Sequence, residues 1–540
     1  MRKTAGVRMV IEKNVAVTMS DGVTLRLNVF RPGDGAAPVV LSVTPYGKDN
    51  TPDRIGKLAM RLSGVRFGHL NCSPMTGFES PDPLFWVQRG YAVVQADARG
   101  MHASGGVAGF LTDRDAQDYG DLIGWAADQP WSSGRVALSG VSYLCMSQWR
   151  VGALRPRGLA AIVAWEGASD LLRELAYHGG IPEIGFLPIW WKNRMLRGSH
   201  RGASMGEDFP QDSRRHPFDD DYWARKRPDV GAIDVPALVG ASWSDHGLHT
   251  RGTLLAYEQL AGPKWLYIHG RRKWETYYSA HALELQYRFL EHFVKGSASD
   301  WLDEPAVRYE ARSSRDRYTV RTAPHWPIRG TIPRTLYLDG TSMSLTTQPN
   351  SLQHWVSYAT TPQRRRTDRV AFSHRFATDT EVTGTMALRI WVSTDQGTEI
   401  DVFVAVRKRD AAGKEVPFYG YNGYPNDGVA KGWLRASHRE LDPSRSRPER
   451  PYHAHRTVQP VELGKPIELT IEIWPSSTFF EAGSKLVVEI VGHDADRYPA
   501  LRHDSASRGT HTVHTGGPTP SALVVPLLPN RSQSELASPP

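Results

Sequence analysis

The residue with the most direct chemical use is a serine in a compact turn. Gly140-Val141-Ser142-Tyr143 follows the β-like run Arg135 to Leu138 and precedes Leu144 to Val151, which can be helical. A serine nucleophile needs that context. It sits in a strained strand-to-helix turn, small neighbours relieve the clashes, and the N–H of the next residue, here Tyr143, can face an oxyanion. The usual turn has glycine two residues after the serine, where this chain has Leu144. The motif alone leaves a chance loop serine as the alternative. Cys145 reads as a small buried residue packing the helix after the turn, not as a second nucleophile. With Cys72 it makes neither a disulfide framework nor a zinc spacing, so no metal site is expected.

The elements around Ser142 alternate. Val15 to Phe30 reads as a hairpin turned at Ser20-Asp21-Gly22. Pro38 to Val43 and Tyr91 to Gln95 are short apolar runs expected of buried strands, and Asp113 to Ala127 has helical spacing. The pattern resumes at Val235 to Ala241, at Lys264 to Ile268 and in a helix from Ser279 to Lys295. Strands alternating with helices predict a parallel α/β sheet over 1–165 and 232–304. Residues 166–231, rich in Trp, Gly, Pro and charge, read as an inserted cap. From 305 to 528 strand-like runs such as Met386 to Val392, Ile467 to Trp474 and Lys485 to Val491 predict an all-β sandwich. The polar, Pro/Ser-rich stretch 529–540 reads as a disordered tail.

Bulk properties exclude several classes. With 65 Lys and Arg against 57 Asp and Glu, the charge of +8 is mild for 540 residues. Its knots, at Arg271 to Lys273, Arg364 to Arg366 and Arg445 to Arg450, form no basic stripe interleaved with aromatics, so no nucleic-acid partner is expected. No run approaches a membrane span, and Met1 to Val10 lacks the apolar stretch of a signal peptide. A cytoplasmic protein without a membrane partner is the expectation.

Six segments, MSDGVTLRLNVFRP, TPYGK, RGYAVVQADARGMHASGG, DYGDLIGWAADQPWSSGRVALSGVSY, HPFDDDYW and IDVPALVGASWSD, together with the later GWLRASHRE and SSTFFEAGSKLVVEIVGHD, carry a resemblance. In content and order they resemble the hydrolase family of cocaine esterase, X-prolyl dipeptidyl-peptidases and α-amino acid ester hydrolases. The resemblance spans about residue 10 to about 525 and is most specific at QPWSSGRVALSGVSY. It implies an α/β-hydrolase sheet with a helical cap, a C-terminal jelly roll of galactose-binding-like type, and a Ser-Asp-His triad.

Matched position by position, Ser142 is the nucleophile, the Tyr143 N–H one oxyanion donor and the Tyr46 hydroxyl the other. Asp245, in Ser242-Trp243-Ser244-Asp245, matches the triad acid; a helix N-cap is its structural alternative. The base departs from the pattern. The family's Gly-Pro-Trp-x-His segment corresponds to Gly270-Arg271-Arg272-Lys273-Trp274, which has no histidine. His269, at the end of a strand-like run, is therefore the expected base. His246 and His249 are its rivals, read otherwise as helix-surface residues, and His281 is a more distant one. Asp97 and Arg99 read as an ion pair holding loops. Trp165, Trp190 and Trp191 are candidates to line an acyl pocket, with core packing as the alternative.

These readings predict a serine hydrolase that cleaves a small ester, amide or short peptide through an acyl-serine, with no cofactor and with homo-oligomerisation left open. An X-Pro dipeptidyl aminopeptidase is the first alternative. It needs carboxylates for a substrate ammonium, for which only Glu174 and Glu183 are available. An acyltransferase is a second, since water exclusion decides the acceptor. A catalytically silent binding protein is the alternative from another class.

Overall fold

The computed structural model describes residues 8–50, 66–200, 202–363, 367–496, 498 and 501–529. Arg364 to Arg366, the first seven residues and the expected tail beyond Pro529 lie outside the described residues.

Strands β1 (Met9–Thr18) and β2 (Thr24–Pro32) form the expected antiparallel hairpin. The strands that follow are β3 (Ala37–Thr44), β4 (Ala92–Asp97), β5 (Ser132–Val141), β6 (Leu159–Trp165), β7 (Ala237–Ser242), β8 (Lys264–His269) and β9 (Val307–Ser314). They lie in the spatial order 4-3-5-6-7-8-9 and pair in parallel throughout. β2 joins β4 antiparallel at the other edge. Every residue of β3, β4 and β7 is buried. Strands covered on both faces need such apolar runs, because each side chain meets a helix or loop packed on the sheet.

Helix α1 (Asp113–Ala127) starts and stops where the spacing predicts. The Thr112 hydroxyl caps the Asp115 N–H, and the Asp115 carboxylate accepts the Thr112 N–H in return. Helix α2 (Tyr143–Ala153) leaves β5 directly through Ser142. Helix α3 (Thr250–Gln259) follows β7, and α4 (Lys273–Tyr277) and α5 (Ala280–Leu290) follow β8. The predicted helix from Ser279 to Lys295 is α5 plus one wider turn, Glu291–Lys295, closed by left-handed Gly296.

Between β6 and β7 the chain leaves the sheet in short helical pieces, among them Phe186–Trp190, Phe209–Arg215 and Asp221–Lys226. Beyond β9 the ladders are mainly antiparallel. Thr380–Gln396 pairs with Ile467–Phe480, Arg508–Thr515 and Ala522–Leu528. Lys485–Val491 pairs with Arg369–Arg375 and Asp401–Arg409. A second hydrophobic core, with Leu388, Val404, Ile471 and Leu523, fills this region. The sheet does not stop at the expected boundary of 304. β9 pairs with β8 and also bridges to Ile467–Phe480 through Arg312 and Thr478.

The two halves therefore pack closely. Phe403, Tyr421, Trp433 and Trp474 from the C-terminal half belong to the first core. The Arg251 guanidinium links Glu174 to Glu472, and Arg173 donates to the carbonyls of His453 and Ala454. In the connection, Trp301 is fully buried against Trp265 and Phe289, with ring centroids 5.5 and 5.2 Å away. Leu302 beside it is exposed. Trp301→Ala should cost about 3–5 kcal/mol, the usual scale for emptying a buried indole site. Calorimetry should show a lower unfolding temperature, and an unchanged one would mean that the connection does not anchor the halves.

Candidate active site

Ser142 has φ 61° and ψ −116°, a conformation that a residue with a Cβ adopts only under tertiary constraint. The constraint is visible. The Ser142 N–H donates to the carbonyls of Trp165 and Glu166, 3.0 Å each, which ties the turn to the end of β6. A Cβ on Gly140 would lie 2.5 Å from the Leu144 Cβ, so glycine is required there. Leu144 is thus tolerated after the serine because Gly140 gives way before it. Cys145 is fully buried, and its Sγ would lie 2.6 Å from a Cβ on Gly167. Burial pushes the thiol pKa up, so it stays protonated and inert.

Ser142 Oγ lies 3.2 Å from His249 Nε2, and His249 Nδ1 lies 2.5 Å from Asp245 Oδ2. Both partners come from the turn between β7 and α3. The N–H groups of Leu248 and His249 donate to the Asp245 carbonyl, so the carboxylate and the imidazole stand one turn apart. Gly247, at φ 94°, allows the chain to bend between them. All three side chains are nearly inaccessible to water.

The electrostatics suit proton transfer. Burial opposes charge on Asp245, but the Lys273 ammonium and then His249 more than offset it and hold the carboxyl below the ordinary range. His249 is pushed down, first by burial and then by Lys273, while Asp245 works in the opposite sense. The ring is then neutral near pH 7 and able to accept a proton. Tyr46 is pushed up by burial and then by Glu79, so its hydroxyl remains a donor. It accepts from Trp190 Nε1 at 3.4 Å. The Tyr143 N–H is at the first position of α2, where no intrahelical acceptor exists.

The structure corrects the expectation for His269. Its Nδ1 accepts the Arg271 N–H, so Nε2 carries the proton and donates to Glu166 Oε1 at 3.0 Å. The ring stacks on Trp165 inside the sheet, and burial pushes its pKa down to about 3. His246 is turned away onto the Pro475 carbonyl, 3.0 Å distant, and His281 lies beside Tyr267 on α5. The rival His249 is the histidine that reaches Ser142. Its signal in the sequence is the four-residue spacing from Asp245. The expected helix surface there is in fact a buried turn, because α3 begins only at Thr250.

Other expectations also change. Asp97 and Arg99 are each paired, but not with one another: Asp97 holds Lys48, and Arg99 holds Asp118 and Asp21. Trp165 is packed among Tyr267, His269 and Tyr277 as core. Trp191 is buried against Phe110 and Phe209, again as core. Trp190 alone of the three stands at the site, half-buried beside Tyr46 and Phe186. Glu174 is spent on Arg251, and Glu183 accepts the N–H groups of Gly185, Phe186 and Leu187. Among the described residues, one group could hold a metal by position, Glu166, Asp245 and His249. The Lys273 ammonium already sits against two of its members.

A family model for the X-Pro dipeptidyl-peptidase S15 family matches residues 21–272, and one for the X-Pro dipeptidyl-peptidase C-terminal non-catalytic domain matches 299–524. A solved CocE/NonD family hydrolase from Staphylococcus aureus is 37% identical with a TM-score of 0.91, covering 96% of this chain and 94% of that one. The cocaine esterase of Rhodococcus sp. (strain MB1 Bresler) is 24% identical over 96% of this chain and 98% of its own length. A Bacillus cereus protein named as a putative Xaa-Pro dipeptidyl-peptidase is 20% identical over 85% of this chain and 80% of its own length.

The arrangement separates the histidines by experiment. His249→Ala should lower turnover of an activated ester nearly as far as Ser142→Ala, since members of such a unit fail together. His269→Gln should keep most of the turnover. The reverse order in steady-state assays would return the base to His269.

Proposed function

The chain belongs to the CocE/NonD family of serine hydrolases, with an N-terminal catalytic and a C-terminal non-catalytic domain, and we propose that it cleaves a small carboxylic ester with Ser142 as nucleophile, His249 as base and Asp245 as acid. The observation that carries this reading is the unbroken chain from Ser142 Oγ through His249 to Asp245, 3.2 and 2.5 Å. Ser142 attacks the carbonyl carbon as its proton passes to His249 Nε2. Asp245 stabilises the resulting imidazolium. The Tyr46 hydroxyl and the Tyr143 N–H receive the charge that develops on the carbonyl oxygen. His249 then protonates the leaving alcohol. A water molecule repeats the sequence on the acyl-serine and releases the acid.

We read the parallel sheet as an α/β-hydrolase core, residues 166–231 as its cap and the C-terminal strands as a jelly roll. The sheet order, the excursion between β6 and β7 and the antiparallel ladders support that division. Half-buried Trp190, with Phe186 and Phe110 around it, favours an apolar acyl group beside the oxyanion donors. The aminopeptidase alternative is less well supported, because Glu174 and Glu183, the carboxylates the sequence offered for a substrate ammonium, are both engaged.

A fluorophosphonate probe should label the wild type at Ser142 and not Ser142→Ala. Tyr46→Phe should keep the fold and lose about a hundredfold in turnover, the scale of one oxyanion donor. Absence of labelling in the wild type would favour the silent binding protein, and full activity in Tyr46→Phe would place the second donor elsewhere.

A further inference from the structure

The proton relay above runs through Ser142, His249 and Asp245, and one further charged side chain, which the mechanism does not use, is buried beside it. Lys273 opens α4, on the loop that leaves β8. Its side chain is nearly inaccessible. Its Nζ lies 2.8 Å from Asp245 Oδ2 and 2.9 Å from His249 Nδ1.

These distances fix where the protons are. An ammonium has donors and no lone pair, so it cannot take a proton from either neighbour. Asp245 Oδ2 and His249 Nδ1 are 2.5 Å apart, too close for two bare lone pairs, so a proton stands between them. That proton belongs to Nδ1, because Asp245 is the ionised partner. Nε2 is then bare and faces Ser142 Oγ. Lys273 donates to the carboxylate and lies against the edge of the ring.

The other groups facing this pair come from several separate elements. Glu166 approaches from the end of β6 with His269 behind it. Glu79 is held by Trp274 Nε1 at 2.8 Å, with Arg194 of the excursion acting on it. Tyr46 and Ser142 stand in front. The Asn422 N–H, from the C-terminal half, reaches Asp245 Oδ1 at 3.4 Å. Burial pushes both Glu79 and Glu166 up to about 8, leaving Asp245 as the principal anion and Lys273 as its counter-ion.

We propose that Lys273 is a positioning residue of the triad: its ammonium pins the Asp245 carboxylate and keeps His249 as a neutral ring with its bare Nε2 toward Ser142. The proposal rests on the assignment of Ser142, His249 and Asp245. A cation at 2.9 Å from the ring raises the energy of the imidazolium in the resting enzyme. The base therefore stays unprotonated to lower pH than a buried pair with Asp245 alone would allow. The same cation satisfies the second lone pair of Asp245 Oδ2, which a methylene chain could not do.

The test is the pH profile of kcat/KM on p-nitrophenyl acetate for the wild type, Lys273→Met and Lys273→Arg, with Ser142→Ala and His249→Ala as controls. The acid limb of the wild type should fall below the ordinary histidine value of about 6.5. Lys273→Met should move it up by about one unit, the effect of removing a neighbouring cation. Lys273→Arg should restore most of that displacement, which a loss of packing alone would not explain. If Lys273→Met keeps the wild-type limb while both controls are inactive, the triad stands and the role of Lys273 is overturned. If His249→Ala remains active, the triad assignment itself fails. Should Lys273→Met not fold, a wild-type acid limb at or above about 6.5 overturns the proposal without it.

Discussion

Asp245 is a charge that has been taken almost wholly out of water, and much of the surrounding architecture answers that cost. An isolated carboxylate in such a place would simply take up a proton. Here it receives His249 Nδ1–H, the Lys273 ammonium and the Asn422 N–H. Each comes from a different stretch of chain. His249 stands one turn further on, Lys273 comes from the loop after β8, and Asn422 comes from the C-terminal half. The site therefore requires the sheet, the loop and the C-terminal strands to be in register at once. This gives the second half of the chain a part in holding Asp245.

The serine is held by a different economy. Its positive φ is strained, and the strain is fixed by two carbonyls at the end of β6 and by the start of α2. The same two neighbours set the rest of the site. β6 is followed by Glu166, whose carboxyl is kept neutral by burial and tied to His269. α2 begins with the Tyr143 N–H, which has nowhere to point but out of the helix. Strand end and helix start together explain why a hydroxyl with little exposure still has an acid-base partner on one side and donors on the other.

Charge compensation recurs away from Ser142. Arg251 sits between Glu174 and Glu472, and Arg173 between Asp170, Asp219 and two carbonyls of the C-terminal half. These links run across the contact between the two halves. Breaking one partner would leave a buried charge unpaired, which costs more than the pair itself contributes. Glu174 could not serve both as this strut and as a seat for a substrate ammonium, and the structure uses it as the strut.

The sequence by itself determined the local features. Continuous apolar runs are sufficient for buried parallel strands. Thr112 and Asp115 are sufficient for the start of α1, and Gly140 for the room that Leu144 needs between β5 and α2. Each of those outcomes depends on neighbours within a few residues. The resemblance to a known family added Tyr46 and Asp245, which local pattern could not single out. The tertiary structure alone decided which histidine meets Ser142. His269 ends a strand and His249 follows one, and nothing in their neighbours tells inward from outward. The choice was made by Gly247, whose positive φ bends the turn after β7, and by Glu166, which accepts the His269 Nε2–H. Lys273 stood in what read only as one of three basic knots, Arg271 to Lys273. Only the folded chain places its ammonium on Asp245, because the attraction that holds it there acts across 28 residues of sequence and less than 3 Å of space.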